Sequence, residues 1–388
     1  MSRRFQPWLA ALLLVAGPAT AASIDEQMKI VEKIRGLSFT APVAVETIDR
    51  EDLPARIQAQ VTKTMPYSVG EWETILRALH LIDTTAATGF PALLDLYQSQ
   101  VLAFYDPSSR TYFAVKQVPS AMAAILPAEV AQESVAIHEL VHALQDQRFE
   151  IGRKDFALRN DTDAGLAYHA VLEGEATLVM LAHLMSKAGT SFEDVVRSDA
   201  LMSMLVAAAG AEAAMPADTP RYYAEMLKFP YLEGLSFVIE AYRRGGWEAL
   251  DKVHASPPRS TREILHPADY FDRKVKLGRF VPQPAVSAPR ILSVEHLGEF
   301  HWAFLAGAEN ARGWLNDRVT VAQNSYCETT TLVETNWESD EAARKFYEAY
   351  IHALDEKGVA TLGVVDGRTV RVAYGADRGL MDRFMGQS

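Results

Sequence analysis

The sequence predicts an α+β protein: a largely helical main domain with a small sheet, followed by a small C-terminal α+β module. Three features predict it. A helical zone runs from about Pro127 to the middle 240s. Two β-rich runs flank Asp106-Pro107-Ser108-Ser109 in VLAFYDPSSRTYFAV, residues 101–115, which reads as a hairpin. Past a segment holding Pro282, Pro284 and Pro289, the pattern changes to strands, one helix and a final hairpin.

Taken in order, MSRRFQPWLAALLLVAGPATAA comes first. Arg3 and Arg4, the apolar run Trp8 to Gly17 and the small residues Ala19-Thr20-Ala21 make residues 1–21 a secretory signal peptide. Cleavage is expected after Ala21, with Ala22 the next choice. The apolar run is too short for a lasting anchor, and no later stretch reaches membrane length, so no span is expected in the mature chain. Export to the periplasm or beyond the cell follows. The main domain is expected over 22–281 and the module over 290–388. Residues 24–36 read as a short helix, PVAVETIDRED as a strand running into a helix capped near Asp49, and GEWETILRALHLI as another helix. In the module, DRVTVAQ and TTTLVETNW read as strands and DEAARKFYEAYIHALDEKG as a helix. VATLGVVDGRTVRVAYG reads as a hairpin turning at Asp366-Gly367. The module holds no constellation that carries chemistry.

Composition narrows the function classes. Hydrophobic residues make up 49% and charged residues 23%, which is globular rather than disordered. The net charge of −12 becomes −14 once two arginines and no acids leave with the signal peptide. That acidity argues against nucleic acid or anionic lipid as a partner. Cys327 is the only cysteine, so no internal disulfide forms and stability must come from packing or a metal. Nothing in the sequence sets the oligomeric state.

The stretch AIHELVHALQDQ, residues 136–147, carries the chemistry. Ile137, Leu140, Val141 and Leu144 fall at i, i+3, i+4 and i+7, the apolar stripe of a buried helix, and Pro127 suits its first turn. On that helix His138 and His142 lie one turn apart on one face, so both rings reach one ion. Glu139 sits beside them as a base that need not bind the metal. With 10 histidines in 388 residues, a chance H-E-x-x-H is an event on the order of one in a hundred. Catalytic zinc keeps three protein ligands, so a third is expected on a facing element. The helical run DAGLAYHAVLEGEATLVMLAHLMSK, residues 163–187, is interrupted by Glu173 and Glu175. A buried carboxylate is costly without a partner, so at least one of them meets a cation. Being two apart they face different ways, and only one reaches the ion.

HELVH followed about thirty residues later by EGEA resembles the gluzincin metallopeptidases, whose fold is zincin-like. In their aminopeptidase branch the glutamate before the glycine of N-E-G-x-A is the third ligand, which the resemblance carries to Glu173. Glu175 then takes an outer or helix-edge place, and His169 is a rival ligand. FPYLEGLSFVIEAYRRGGW, residues 229–247, resembles the P-Y-x-x-G segment whose tyrosine hydroxyl donates to the oxyanion, and Tyr231 matches it. Thermolysin-like relatives carry an aspartate four residues after the ligand glutamate, to orient a histidine. Thr177 stands there in this chain, and Asp146 is the substitute. His266, in PPRSTREILHPADY, is the rival donor to Tyr231. The G-x-M-E-N segment that holds a substrate's free amine is absent. The resemblance spans about residues 100–250. It implies Zn²⁺, a peptide or protein substrate, an edge strand from the 101–115 hairpin to pair with that substrate, and endopeptidase rather than aminopeptidase action. Two other classes stay open: a zinc hydrolase of a non-peptide bond, and a non-catalytic binding or assembly protein stabilised by its metal.

Overall fold

The computed structural model describes residues 23–64, 66–83, 89–116, 128–212 and 219–386. The expected signal peptide and Pro127 lie outside the described residues. The architecture is mixed α+β, with two small sheets. No described helix is long and apolar enough to cross a membrane. Two compact units divide the chain: Met1–Gln58, Leu94–Asp155 and Tyr168–Pro257 form the first; Ala59–Leu93, Phe156–Ala167 and Pro258–Ser388 form the second.

The first unit opens with the helix Ile24–Arg35. Ser23 caps it: its hydroxyl accepts the Glu26 amide while the Glu26 carboxylate accepts the Ser23 amide, at 3.3 and 2.8 Å. Gly36, with φ +73°, ends it. A three-stranded sheet has the order β1-β3-β2: β1 (Ala44–Ile48) runs parallel to β3 (Thr111–Val115), and β2 (Ala103–Asp106) antiparallel to it. The Asp106 carboxylate tightens the β2–β3 turn by accepting the Ser108 amide at 2.9 Å. β2 is therefore an edge strand.

Against this sheet packs the helix Ala128–Phe149, whose Ile137, Leu140, Val141 and Leu144 are at most 1% exposed. Ala176 and Val179, from the helix Thr162–Lys187, join the same core with Tyr105 and Tyr112. The third site-building helix, Arg221–Ala255, starts ten residues before Tyr231 and runs through Pro230. Its helical geometry is interrupted at Gly245 and Gly246. It crosses the helix Thr162–Lys187 backbone to backbone. A Cβ on Gly174 would come within 3.0 Å of the Gly234 carbonyl, and one on Gly234 equally close to the Ala170 carbonyl. The glycines of EGEA and PYLEG are thus the crossing point, and they fix Glu173 relative to Tyr231.

The second unit is built on a five-stranded antiparallel sheet, β4-β5-β6-β8-β7: Ile291–Glu295, Trp314–Gln323, Thr329–Trp337, Thr369–Gly375 and Thr361–Asp366. The helices Gly298–Ala306, Asp340–Asp355 and Arg378–Met385 pack on it, burying Trp302, Trp314, Trp337, Phe346 and Phe384. The module expected over 290–388 lies inside this unit. The unit starts at Pro258 and also recruits residues 59–93 and 156–167. The cause is long-range bonding: Thr331 Oγ1 donates to the Ala78 carbonyl at 3.1 Å, and Asp163 accepts the Thr261 amide at 2.8 Å. Such bonds leave no trace in local composition.

Candidate metal centre

Helical spacing brings His138 and His142 to one face, and the Thr162–Lys187 helix brings Glu173 to them. His138 Nε2 lies 3.2 Å from His142 Nε2, and Glu173 Oε2 lies 2.9 and 3.5 Å from those two atoms. No other His, Cys, Asp or Glu group of three among the described residues could hold an ion. A tetrahedral ion with bonds of about 2.0–2.1 Å sets its ligand atoms about 3.3 Å apart. The three separations bracket that value, so the donor set fits a divalent transition ion. His138 and Glu173 are each 8% exposed. The cluster also attracts positive charge. Burial lowers the pKa of His142, but Glu173, Glu139 and the Gln145 bond together outweigh it and raise it to about 9, so a proton is the competitor an ion must displace. Burial likewise works against ionised Glu173, yet the three neighbouring histidines hold it well below the usual carboxylate range.

Glu139 projects from the same helix toward the sheet edge. Its Oε2 accepts the Tyr105 amide of β2 at 2.9 Å. Because Val115 N already donates to Leu102 O, antiparallel alternation turns the Tyr105 amide away from β3 and outward. Burial raises the Glu139 pKa, partly offset by His142 and His138. Tyr231 sits with its ring centroid 6.0 Å from that of His138. It is 39% exposed, yet desolvation of the phenol, then the charges of Glu173 and Glu139, keep it protonated well above its usual range.

The remaining candidates fall as follows. Asp146 does not orient a histidine: its Oδ2 accepts the Tyr105 hydroxyl at 3.0 Å, its Oδ1 the Gly152 amide. The Nδ1 of His142 instead faces Gln145 Oε1 at 2.9 Å, three residues on along the same helix. His169 is no ligand of the cluster; its Nε2 meets Glu173 Oε1, the oxygen turned away from His138, at 3.0 Å. Glu175 is fully buried and does meet a cation, though a protein one: it bonds Arg35 Nε, His254 Nε2 at 2.5 Å and Gln145 Nε2 at 2.7 Å. Thr177 Oγ1 is buried without a hydrogen-bond partner among the described residues. His266 belongs to the second unit, where it pairs with Glu299 at 2.7 Å.

Sequence reasoning missed Gln145, Arg35, His254 and Tyr97. Only Gln145 carried a signal, as a polar residue i+3 from a candidate ligand inside an apolar stripe. Tyr97, in the helix Phe90–Gln100, is raised to about 12 by burial and by the Glu173 charge.

A family described as Domain of unknown function (DUF8575) matches residues 280–384, within the second unit and outside the metal cluster. No curated protein and no solved structure matches the chain.

Proposed function

We propose that this chain is an exported zinc metallopeptidase of gluzincin type, cleaving within peptide chains rather than at a free N-terminus. The observation that carries the reading is the tetrahedral-edge spacing of His138, His142 and Glu173 with Glu139 beside them on the same helix. His138, His142 and Glu173 would hold the zinc. When bound, such an ion lowers the pKa of water and polarises an amide carbonyl. Glu139 has one oxygen committed to the Tyr105 amide, leaving the other to take a proton from the attacking water and return it to the departing amine. Tyr231, kept protonated, donates its hydroxyl to the oxygen on which charge develops. Among the described residues β2 is an edge strand, and beyond the Tyr105 amide held by Glu139 that edge suits an extended peptide. Absence of the G-x-M-E-N segment supports internal cleavage.

The test is cleavage of a mixed peptide library by residues 22–388, zinc-loaded and then chelated, with products mapped by mass spectrometry. Internal cuts that vanish on chelation and return with zinc are expected. A protein that binds zinc stoichiometrically yet cuts nothing would overturn the peptidase reading and favour a non-peptide bond or a structural metal.

A further inference from the structure

We infer that Gln145 is the positioning residue that fixes the protonation pattern and aim of His142, held in turn by a buried chain running through Glu175 to Arg35. The inference rests on the metal-centre reading above.

Gln145 is 1% exposed and its carboxamide makes three bonds. Oε1 lies 2.9 Å from His142 Nδ1; Nε2 lies 3.1 Å from the Leu172 carbonyl and 2.7 Å from Glu175 Oε2. A carbonyl can only accept. Glu175 also only accepts, since it is fully buried against the Arg35 guanidinium and His254. The amide nitrogen must therefore face those two groups, whichever way the side chain is first drawn, and the amide oxygen must face His142. Oxygen donates nothing, so Nδ1 of His142 carries a proton. In the neutral, ion-binding ring that is the single N–H, so Nε2, the atom meeting His138 and Glu173, is the one left to bind.

An amide here differs from the carboxylate that more often backs a ligand histidine. It cannot take the ring proton, so the ring cannot drift toward imidazolate. The negative charge of Glu175 acts one group removed. The far end of the chain is Arg35, the last residue of the first helix. Its side chain is 1% exposed, bonds Glu175 and Asp251 (2.6 Å to the latter) and lies 5.3 Å from the Trp247 ring centroid. The helix nearest the expected signal cleavage site thus braces a ligand on another element.

The experiment uses residues 22–388, wild type against Gln145→Met and Gln147→Met. Gln147 is the matched control: same helix, same change, and its amide bonds only the 40–41 segment. Two readouts are taken, zinc affinity by chelator competition and the His142 ring N–H resonance by ¹H–¹⁵N NMR, with and without zinc. Gln145→Met should weaken zinc about 10–100-fold, as loss of such partners does, and move the His142 Nδ1 proton upfield. Gln147→Met should do neither, whatever it costs in melting temperature. A wild-type His142 with a ring proton on Nε2 and none on Nδ1, or zinc affinity in Gln145→Met equal to that of Gln147→Met, overturns the inference. If wild type binds no zinc, the metal reading fails, and the zinc-free resonance still decides whether Gln145 holds His142.

Discussion

Gly234→Ala tests whether the helix crossing holds the metal centre. In an open helix this change is favourable, worth about 1 kcal/mol in propensity. At Gly234 the new methyl would lie within 3.0 Å of the Ala170 carbonyl oxygen, carbonyl carbon and Cα. Those are backbone atoms of a helix, which cannot swing aside as a side chain does. Restoring ordinary contact needs the two helices to separate by something on the order of 1 Å, and overpacking of this kind costs about 1–3 kcal/mol. The clash therefore outweighs the propensity gain, and the net change is destabilising. Function should suffer more than stability. Glu173 lies on one side of the crossing and Tyr231 on the other, while the ligand atoms are only 2.9–3.5 Å apart. A displacement of about 1 Å can cost on the order of 10² in turnover. Gly165→Ala is the control on the helix that carries Glu173: its nearest neighbour is 3.8 Å away, so propensity alone acts and the melting temperature should rise. Melting curves, zinc affinity and peptide turnover of both variants are the assay. If Gly234→Ala is as stable as Gly165→Ala with zinc and turnover intact, the backbone-contact account is wrong.

Tyr231→Phe should lower kcat about 10²–10³-fold with zinc content unchanged; unchanged kcat removes Tyr231 from catalysis. Glu173→Ala should lose zinc but keep the fold, whereas Glu175→Ala strands a buried Arg35 and should cost about 3–5 kcal/mol of stability; calorimetry with metal analysis separates the two, and the reverse pattern would exchange their roles. In the second unit, burial lowers the His296 pKa but Asp161, Asp317 and Asp163 outweigh it, raising it to about 9. A raised histidine stabilises fully below its unfolded value of about 6.5 and loses that contribution as pH climbs through 9, at most about 3 kcal/mol here. Denaturant midpoints between pH 6.5 and 9 should therefore fall in wild type and stay flatter in His296→Gln. Asp163, raised to about 6, still titrates near pH 6.5, so the comparison is read above about pH 7.5, where its carboxyl is ionised.

What was legible in the sequence is what local periodicity encodes. The stripe Ile137, Leu140, Val141, Leu144 gave the buried helix, and helical phase alone brought His138 and His142 together. The two-residue offset separated Glu173 from Glu175 correctly as to direction, since one meets the histidines and the other Arg35. Partners distant in sequence were not legible. Arg35 and Glu175 are 140 residues apart, His254 and Glu175 79, and no pattern links them. The crossing glycines, Gly174 and Gly234, stood in the quoted motifs, yet only the fold shows that a Cβ at either position would strike the facing backbone. Asp146, expected as the orienting partner, gives way to Gln145, whose neutral amide donates to Glu175 and accepts from His142 at once.

The central claim, a metal centre of His138, His142 and Glu173 with Glu139 as its base, is tested most directly by the turnover of Glu139→Gln at wild-type zinc content. An amide cannot take the water's proton, so turnover should fall about 10²–10⁴-fold with one zinc per chain retained. Turnover near wild type in that fully loaded variant would contradict the account.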